Sequence, residues 1–316
     1  MGGVKREPSV DFAKGVLILL MVLFHLSYFI GKMPNGTCEL VYTFHMPGFL
    51  VLSGFFTSMD DPVHRVRKMA RGVVVPYFLF EVLYLIGLGM MGRMVGSNNH
   101  FELSVPNLAD TICLNPIGTY WYLHTLIICT CVYALFSVRR MCLSGVNAVI
   151  AASVCCWGLS FLIDGLKWEN CMYFFAGAYI RLLYKDIKQI IIPTWLAGIA
   201  FVFLCFGAEE YGRYTLGGLF ITLSSMSFLF AAHKIVGRKA AWIFEKCGKN
   251  SLIIVLMSPF YMIPSKFYSR FFDFEPTGLL FGLFSLALIT GLCLYSAIVL
   301  DRIGISRKVF GKELYM

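Results

Sequence analysis

The sequence predicts an all-α membrane protein with about ten transmembrane helices packed in a single bundle. Hydrophobic residues occupy 58% of the 316 positions and charged residues only 14%, which leaves too little polar surface to cover a water-soluble fold. The apolar residues form continuous runs and do not alternate with polar ones, and this pattern favours helices over membrane strands. Backbone hydrogen bonds in such runs have to be made within helices, because lipid offers no partners.

A span of about 20 apolar residues, the length that crosses a bilayer core, divides the chain into candidate helices. No soluble domain is expected at either end, so residues 1–316 are interpreted as one membrane domain. The first apolar run contains Lys14 and His25 and is followed by no small-residue cleavage site, so we expect a retained helix and not a signal peptide. The ten candidate ranges are 11–31, 40–59, 72–95, 119–138, 146–163, 170–184, 189–207, 214–233, 250–265 and 277–300.

The basic residues predict the orientation of these helices. The net charge is +9, but the lysines and arginines lie in short clusters between apolar runs, which is typical of membrane topology and not of nucleic-acid binding. A cytoplasmic N-terminus and C-terminus place most of them inside, as expected for a multi-pass protein of the cell inner membrane surrounded by lipids. Of the 27, Lys14 lies within the first helix and six lie on the opposite side: Lys32, Arg93, Lys167, Arg213, Lys266 and Arg270.

Ionisable residues in the first helix indicate a site inside the bundle. Eleven residues separate Lys14 from His25, which at about 100° per residue is three turns plus about 20°, so a continuous helix would place both on one stripe about 16 Å apart. Asp11 lies one turn before Lys14 on that stripe, where the two can pair. Such residues are costly against lipid and favour a functional site, although snorkelling to the interface would also explain Asp11 and Lys14.

The second helix adds an imidazole at a comparable depth. His45 lies about five residues below the outer edge of this helix, and His25 lies about 14 residues above the inner edge of the first. Pro47 follows within the same span, and small residues there allow neighbouring helices to approach closely. Two imidazoles at one level predict a shared polar cavity, with separate packing of each histidine as the alternative.

Two strings carry a family resemblance. "SVDFAKGVLILLMVLFH", with its (Arg/Lys)-x10-His spacing, and "FHMPGFLVLSGFF" resemble the first and second helices of acyltransferase family 3, especially its polysaccharide and fucose O-acetylase-like branch. Weaker similarities follow at Arg65 to Arg71 with Pro76-Tyr77, at Trp121-Tyr122-Leu123 and at Gly248 to Leu252. The last of these often ends in a histidine in the family, whereas this chain reads Val255-Leu256-Met257-Ser258.

The resemblance implies a membrane-bound O-acyltransferase that moves acetyl from acetyl-CoA to a hydroxyl of a cell-envelope polysaccharide or its lipid-linked precursor. Lys14, His25 and His45 match the family's basic residue and its two histidines. His25 would be the general base or a covalent acyl carrier, and His45 a second base, an orienter or an oxyanion donor. Lys14 would guide the donor while Asp11 holds it in place.

Two further groups are expected to bind the substrates. Arg65, Lys68 and Arg71 recur at three-residue spacing near the cytoplasmic mouth, which suits coenzyme A phosphates; an anchor for anionic lipid is the alternative. Tyr42, Trp121 and Tyr122 would stack on a sugar ring or on adenine, or anchor the protein at the interface.

No metal site is expected, because the 11 cysteines show no metal-ligand spacing and fall mainly in apolar runs. A second copy of the chain is left open as a partner. Two other function classes are also left open. A membrane transporter or exporter of a glycan or small metabolite would use the same buried charges and proline-interrupted helices, and a non-catalytic scaffold would use none of them.

Overall fold

In the residues described by its computed structural model, the protein consists of helices joined by short connections. These residues are 7–95, 103–138, 145–206, 215–311 and 313–315. For residues 91–95 only the backbone is described. No strand occurs in these residues, so the predicted all-α class is confirmed. The helices are α1 (Pro8–Leu23), α2 (Ser27–Ile30), α3 (Thr37–Phe55), α4 (Pro62–Met69), α5 (Val75–Val95), α6 (Val105–Cys113), α7 (Trp121–Ser137), α8 (Val146–Leu159), α9 (Trp168–Leu183), α10 (Leu196–Cys205), α11 (Leu216–Ala232), α12 (Arg238–Lys249), α13 (Ser251–Met262), α14 (Ser265–Tyr268), α15 (Leu279–Arg302) and α16 (Ile305–Val309).

Each of the ten predicted ranges overlaps a helix, but only part of the predicted bundle is confirmed. Two helical stretches, Pro62–Met90 and Leu279–Arg302, are long and apolar enough to cross a membrane, with mean hydropathies of 2.0 and 2.3. A bent pair, Ser251–Met262 with Ser265–Phe272, would add a third span. The remaining apolar helices are shorter, so a bundle of ten spans stays a prediction.

Several predictions of orientation lie outside the described residues. Lys5, Arg6, Arg139, Arg140, Arg213 and Lys312 are outside the described ranges. The amphipathic helices α4, α6 and α12 were not predicted, because an apolar-run criterion selects only segments of uniform hydrophobicity. The surface nevertheless carries large exposed apolar side chains such as Leu162, Phe203 and Phe206, as expected for a protein in contact with lipid.

Glycines allow two helix pairs to pack backbone against backbone. A Cβ atom on Gly54 of α3 would lie 1.8 Å from the carbonyl oxygen of Phe174 on α9, so only glycine fits there. Gly177 of α9 has the same relation to α3, and Gly15 with Gly248 joins α1 to α12 in the same way. Close packing of this kind stabilises helix pairs in lipid, where burial of apolar side chains gives little driving force. It fixes α3, which carries His45, and α1, which ends just before His25.

Pro47 interrupts the hydrogen bonding of α3 next to His45. Proline has no N–H, so the carbonyl oxygen of Thr43, four residues earlier, has no helical donor. The Thr222 hydroxyl of α11 lies 3.2 Å from this oxygen and shares its proton with the carbonyl oxygen of Gly218 at 2.9 Å. A neighbouring helix therefore contributes to satisfying the carbonyl that lacks its helical donor, as is usual for prolines in membrane helices.

Candidate functional site

His25 lies in a break of the first predicted helix. The range 11–31 is not one helix: α1 ends at Leu23, and a turn at 24–26 precedes α2. The backbone N–H of His25 donates to Val22, and its ring Nδ1 lies 2.7 Å from the carbonyl oxygen of Met21. The side chain thus satisfies a terminal carbonyl of the helix, and the predicted stripe from Lys14 ends one turn before His25.

Tyr42 links the two predicted histidines. Its hydroxyl donates to the carbonyl oxygen of Phe24 in the same break, at 2.6 Å. Its ring centroid lies 6.0 Å from that of His25 and 5.1 Å from that of His45. The expectation that both imidazoles lie at one level is therefore supported by the geometry, with an aromatic ring placed between them.

The hydrogen bonds also define the tautomer of each imidazole. Nδ1 of His45 lies 2.6 Å from the carbonyl oxygen of Val41, as Nδ1 of His25 does from Met21. A carbonyl can only accept, so Nδ1 carries the proton in both rings and Nε2 carries the lone pair in the neutral form. This tautomer gives both histidines a nitrogen that is able to accept a proton.

His25 opens into a cavity of about 400 Å³, which we name the histidine cavity. His45 is fully buried behind it. Most of the lining side chains are polar but uncharged, and Lys266 is the one lysine or arginine among them. Tyr28 and Tyr84 were not predicted, although Tyr28 lies one helical turn after His25 in the sequence. The lining includes His25, Tyr28, Tyr84, Thr119, Ser265 and Lys266.

A second cavity, of about 540 Å³, brings together the predicted basic run, and we name it the basic cavity. It lies between α4, α7 and α13. His64 and Arg67 line it too and were missed. His64 lies one turn before Lys68 on α4, whereas Arg67 lies about 160° around the helix from Arg65, so the three-residue spacing does not select it. Five lining side chains carry nitrogen: His64, Arg65, Arg67, Lys68 and Arg71.

The C-terminal end of α3 lies next to the basic cavity. The Arg65 guanidinium donates to the Thr57 hydroxyl at 2.9 Å, just beyond the end of this helix. The Lys14 ammonium lies 4.7 Å from the centre of the Phe56 ring, so Lys14 is at this end and not beside His25. Twelve residues separate Thr57 from His45, about 18 Å of helix.

The other predicted site residues line neither cavity. The Tyr122 hydroxyl is 2.7 Å from that of Ser53, so this ring packs against the middle of α3. Trp121 contacts the ring of Tyr122 at the start of α7, and Asp11 is buried where α1 meets α12. The structure therefore brings His25, Tyr42 and His45 together and leaves Asp11, Trp121 and Tyr122 apart from them.

Three cysteines form a cluster that their spacing in the sequence does not predict. The sulfur atoms of Cys129, Cys156 and Cys171 lie within 4.8 Å of one another, and all three residues are buried. They come from α7, α8 and α9, so no sequence motif records them. Among the described residues, no other three side chains of the types that ligate metals lie this close together.

Two nodulation proteins named NolL are similar to part of the chain. The protein from Sinorhizobium fredii (strain NBRC 101917 / NGR234) is 26% identical over 160 residues, which are 48% of this chain and 43% of the relative. The protein from Mesorhizobium japonicum (strain LMG 29417 / CECT 9101 / MAFF 303099) is 26% identical over 136 residues, 39% of this chain and 34% of the relative. The alignment thus covers less than half of either relative. No solved structure shows a significant match.

A family model described as an acyltransferase domain matches residues 7–298. The match begins just before α1 and ends within α15, so it contains both histidines and the basic run. Members of the family are embedded in membranes, in agreement with the apolar helices of this chain. The chain belongs to acyltransferase family 3.

Proposed function

We propose that this protein transfers an acetyl group from acetyl-CoA to a hydroxyl of a cell-envelope polysaccharide or of its lipid-linked precursor. It does so as a multi-pass protein of the inner membrane. The observation that carries the proposal is the pairing of a histidine-containing cavity with a separate, strongly basic cavity. Membership of an acyltransferase family supports the reaction class.

The histidine cavity suits the acceptor. Its volume of about 400 Å³ accommodates a sugar residue, and hydroxyl groups from serine, threonine and tyrosine offer hydrogen bonds to it. The rings of Tyr28 and Tyr84 present flat apolar faces of the kind that sugars pack against. In this proposal they take the stacking role that the sequence assigned to Trp121 and Tyr122.

His25 acts as the general base. Its Nε2 lone pair accepts the proton of the acceptor hydroxyl as that oxygen attacks the thioester carbonyl of acetyl-CoA. The tetrahedral intermediate then breaks its carbon–sulfur bond. The imidazolium of His25 returns its proton to the departing thiolate, so the products are the acetyl ester and coenzyme A.

The basic cavity suits the donor. Coenzyme A carries its phosphates at the nucleotide end and its thiol at the other end of a long flexible arm, and arginine and lysine are the side chains that bind phosphate oxygens. Arg67 and Lys68 are exposed at this cavity, whereas Arg65 already donates to Thr57. The arm would then follow α3 for about 18 Å towards His45, a distance set by the helix rise.

The remaining predicted residues support these two groups. His45 orients the reacting groups, since it lies beside Tyr42 and is fully buried, and its N–H is already used by the Val41 carbonyl. Tyr42 holds the break after α1, and with it the position of His25. Lys14, with Asp11 behind it, guides the donor at the end of α3, as the Lys14 contact with Phe56 allows.

Transfer of labelled acetyl tests this proposal. Purified protein in lipid nanodiscs is mixed with radiolabelled acetyl-CoA and an envelope glycan fraction, and label in the glycan is counted. We expect transfer by the natural protein and a fall of about 100-fold or more in His25→Ala, the range typical for loss of a general base. Undiminished transfer by His25→Ala would contradict the role of His25.

His233→Ala is the matched control. His233 also uses an imidazole nitrogen, in a 2.9 Å contact with Glu245, but it lines neither cavity. We expect this variant to retain transfer within about 2-fold, because His233 touches neither cavity. Absence of transfer by the natural protein, with uptake of intact glycan into vesicles, would favour the transporter instead.

A further inference from the structure

The connection between α6 and α7, residues 114–120, forms part of the wall of the histidine cavity. Gly118 and Thr119 line this cavity together with His25. Gly118 has a φ of +66°, a left-handed conformation in which other residues are strained, so the turn depends on glycine. The shape of the proposed acceptor site therefore depends on how this short segment is held.

Side chains from the neighbouring helices hold the start of the segment. The Tyr77 hydroxyl of α5 donates to the carbonyl oxygen of Ile112 at 2.7 Å, and His124 Nε2 of α7 lies 2.8 Å from that of Cys113. These are the last carbonyls of α6, which have no helical donors of their own. Both contacts tie the end of α6 to fixed helices of the bundle.

The far end of the segment is held by a hydrogen bond to α13, at a carbonyl that lacks a helical donor because of Pro259. Pro259 cannot donate a hydrogen bond, so the carbonyl oxygen of Val255 lacks its helical partner. The Thr119 hydroxyl donates to this oxygen at 3.0 Å. Thr119 is thus held by its hydroxyl at the point where it faces the cavity.

Between these anchors, a buried carboxyl group holds the middle of the segment. Oε1 of Glu81 accepts the backbone N–H of Ile117 at 3.3 Å, and Glu81 is 0% exposed. No lysine or arginine forms an ion pair with it among the described residues. Burying a carboxyl group without a cation costs free energy, so packing alone does not explain its presence.

We propose that Glu81 is a positioning residue for the acceptor. It holds Ile117, and through it Gly118 and Thr119, in the conformation that shapes the histidine cavity. Glu81 itself lines neither cavity and touches no proposed reacting group. This inference rests on the proposed function, and it extends that function by naming the residue that determines how well the acceptor fits.

Glu81→Leu and Glu81→Gln separate this role from simple packing. Leucine has a similar volume but no acceptor atom, whereas glutamine keeps a carbonyl oxygen for the Ile117 N–H. KM for the acceptor glycan, KM for acetyl-CoA and kcat are measured in nanodiscs. We expect Glu81→Leu to raise KM for the acceptor about 10-fold while KM for acetyl-CoA stays within about 2-fold, and Glu81→Gln to restore the natural values.

Tyr133→Phe is the control, because it removes a polar atom from a buried residue of α7 that lines neither cavity. It should leave both KM values unchanged. Glu81→Asp serves if the leucine variant does not fold, since its shorter side chain withdraws from Ile117, and an intermediate rise in acceptor KM is expected.

Either of two kinetic results would overturn the inference. One is an equal change in both KM values, and the other is an acceptor KM in Glu81→Leu that matches the natural protein. Hydrogen exchange gives a readout that does not depend on activity: exchange in residues 114–120 should rise in Glu81→Leu, and unchanged exchange there would also overturn it. A natural protein that transfers no acetyl at all would instead contradict the proposed function.

Discussion

The two cavities differ far more in charge than in size. The basic cavity, about 540 Å³, is lined by three arginines and one lysine, whereas the histidine cavity, about 400 Å³, has Lys266 as its one such residue and many hydroxyl groups. A cationic site selects phosphates through charge, and a hydroxyl-rich site selects a neutral partner through hydrogen bonds. In the proposed function, donor recognition and chemistry are therefore assigned to separate cavities.

The largest effect that sharpens this comparison is expected at the basic cavity. In Arg67→Gln/Lys68→Gln two phosphate-binding cations are lost, so kcat/KM for acetyl-CoA should fall about 100-fold, roughly 10-fold for each. Steady-state kinetics with saturating acceptor measure this fall. The control is Lys234→Gln/Lys239→Gln, which removes two exposed lysines that line neither cavity. Equal losses in both double variants would mean that net charge, and not the basic cavity, attracts the donor.

A smaller effect is expected at the other end, from Tyr42→Phe. The variant keeps the ring between the two histidines but loses the hydroxyl that donates to the Phe24 carbonyl. Loosening the break after α1 should lower kcat about 10-fold, because a slightly misplaced base loses much of its effect. KM for acetyl-CoA should not change. A reduced affinity for the donor with normal kcat would break the proposed separation of the two ends.

The comparison also depends on α3, which joins the two ends. Thr222→Val removes the hydroxyl that lies 3.2 Å from the Thr43 carbonyl oxygen, to which Pro47 offers no N–H, and it should lower the free energy of unfolding by about 1 kcal/mol. Denaturation of the solubilised protein measures this change. Thr290→Val is the control, since its buried hydroxyl has no hydrogen-bond partner within the described residues. An equal decrease in the free energy of unfolding in both variants would show that the Thr222 contact with the Thr43 carbonyl adds no stability of its own.

Most of the helices could be predicted from hydrophobicity, but the break at His25 could not. No proline or glycine lies between Leu23 and Ser27, so nothing local in the sequence ends the helix. The break is stabilised by the Tyr42 hydroxyl and by the His25 ring itself. Each forms a hydrogen bond with a backbone carbonyl at or just after the end of α1. Such contacts between distant segments or with side chains are not visible in the periodicity of a single run.

The candidate site was predictable to the extent that its residues share one helix. Arg65 and Lys68 follow from spacing on α4, and Arg71 lies just beyond its end, whereas Arg67 projects from another side of the helix and was not predictable in this way. Tyr84 lines the histidine cavity from α5 and Thr119 from the connection before α7, and only the fold brings them together. The prediction that His25 and His45 lie at the same depth in the membrane came from counting residues along each helix. In the structure the ring of Tyr42 contacts both imidazoles.

The dissociation constant of acetyl-CoA is the most direct measurement of the central claim, that donor binding and chemistry lie at different ends. It is determined by calorimetry in nanodiscs for the natural protein, His25→Ala and Arg67→Gln/Lys68→Gln. The account predicts a constant within about 2-fold of the natural value for His25→Ala and one about 100-fold weaker for the double variant. Strong loss of binding in His25→Ala, or normal binding in the double variant, would contradict it.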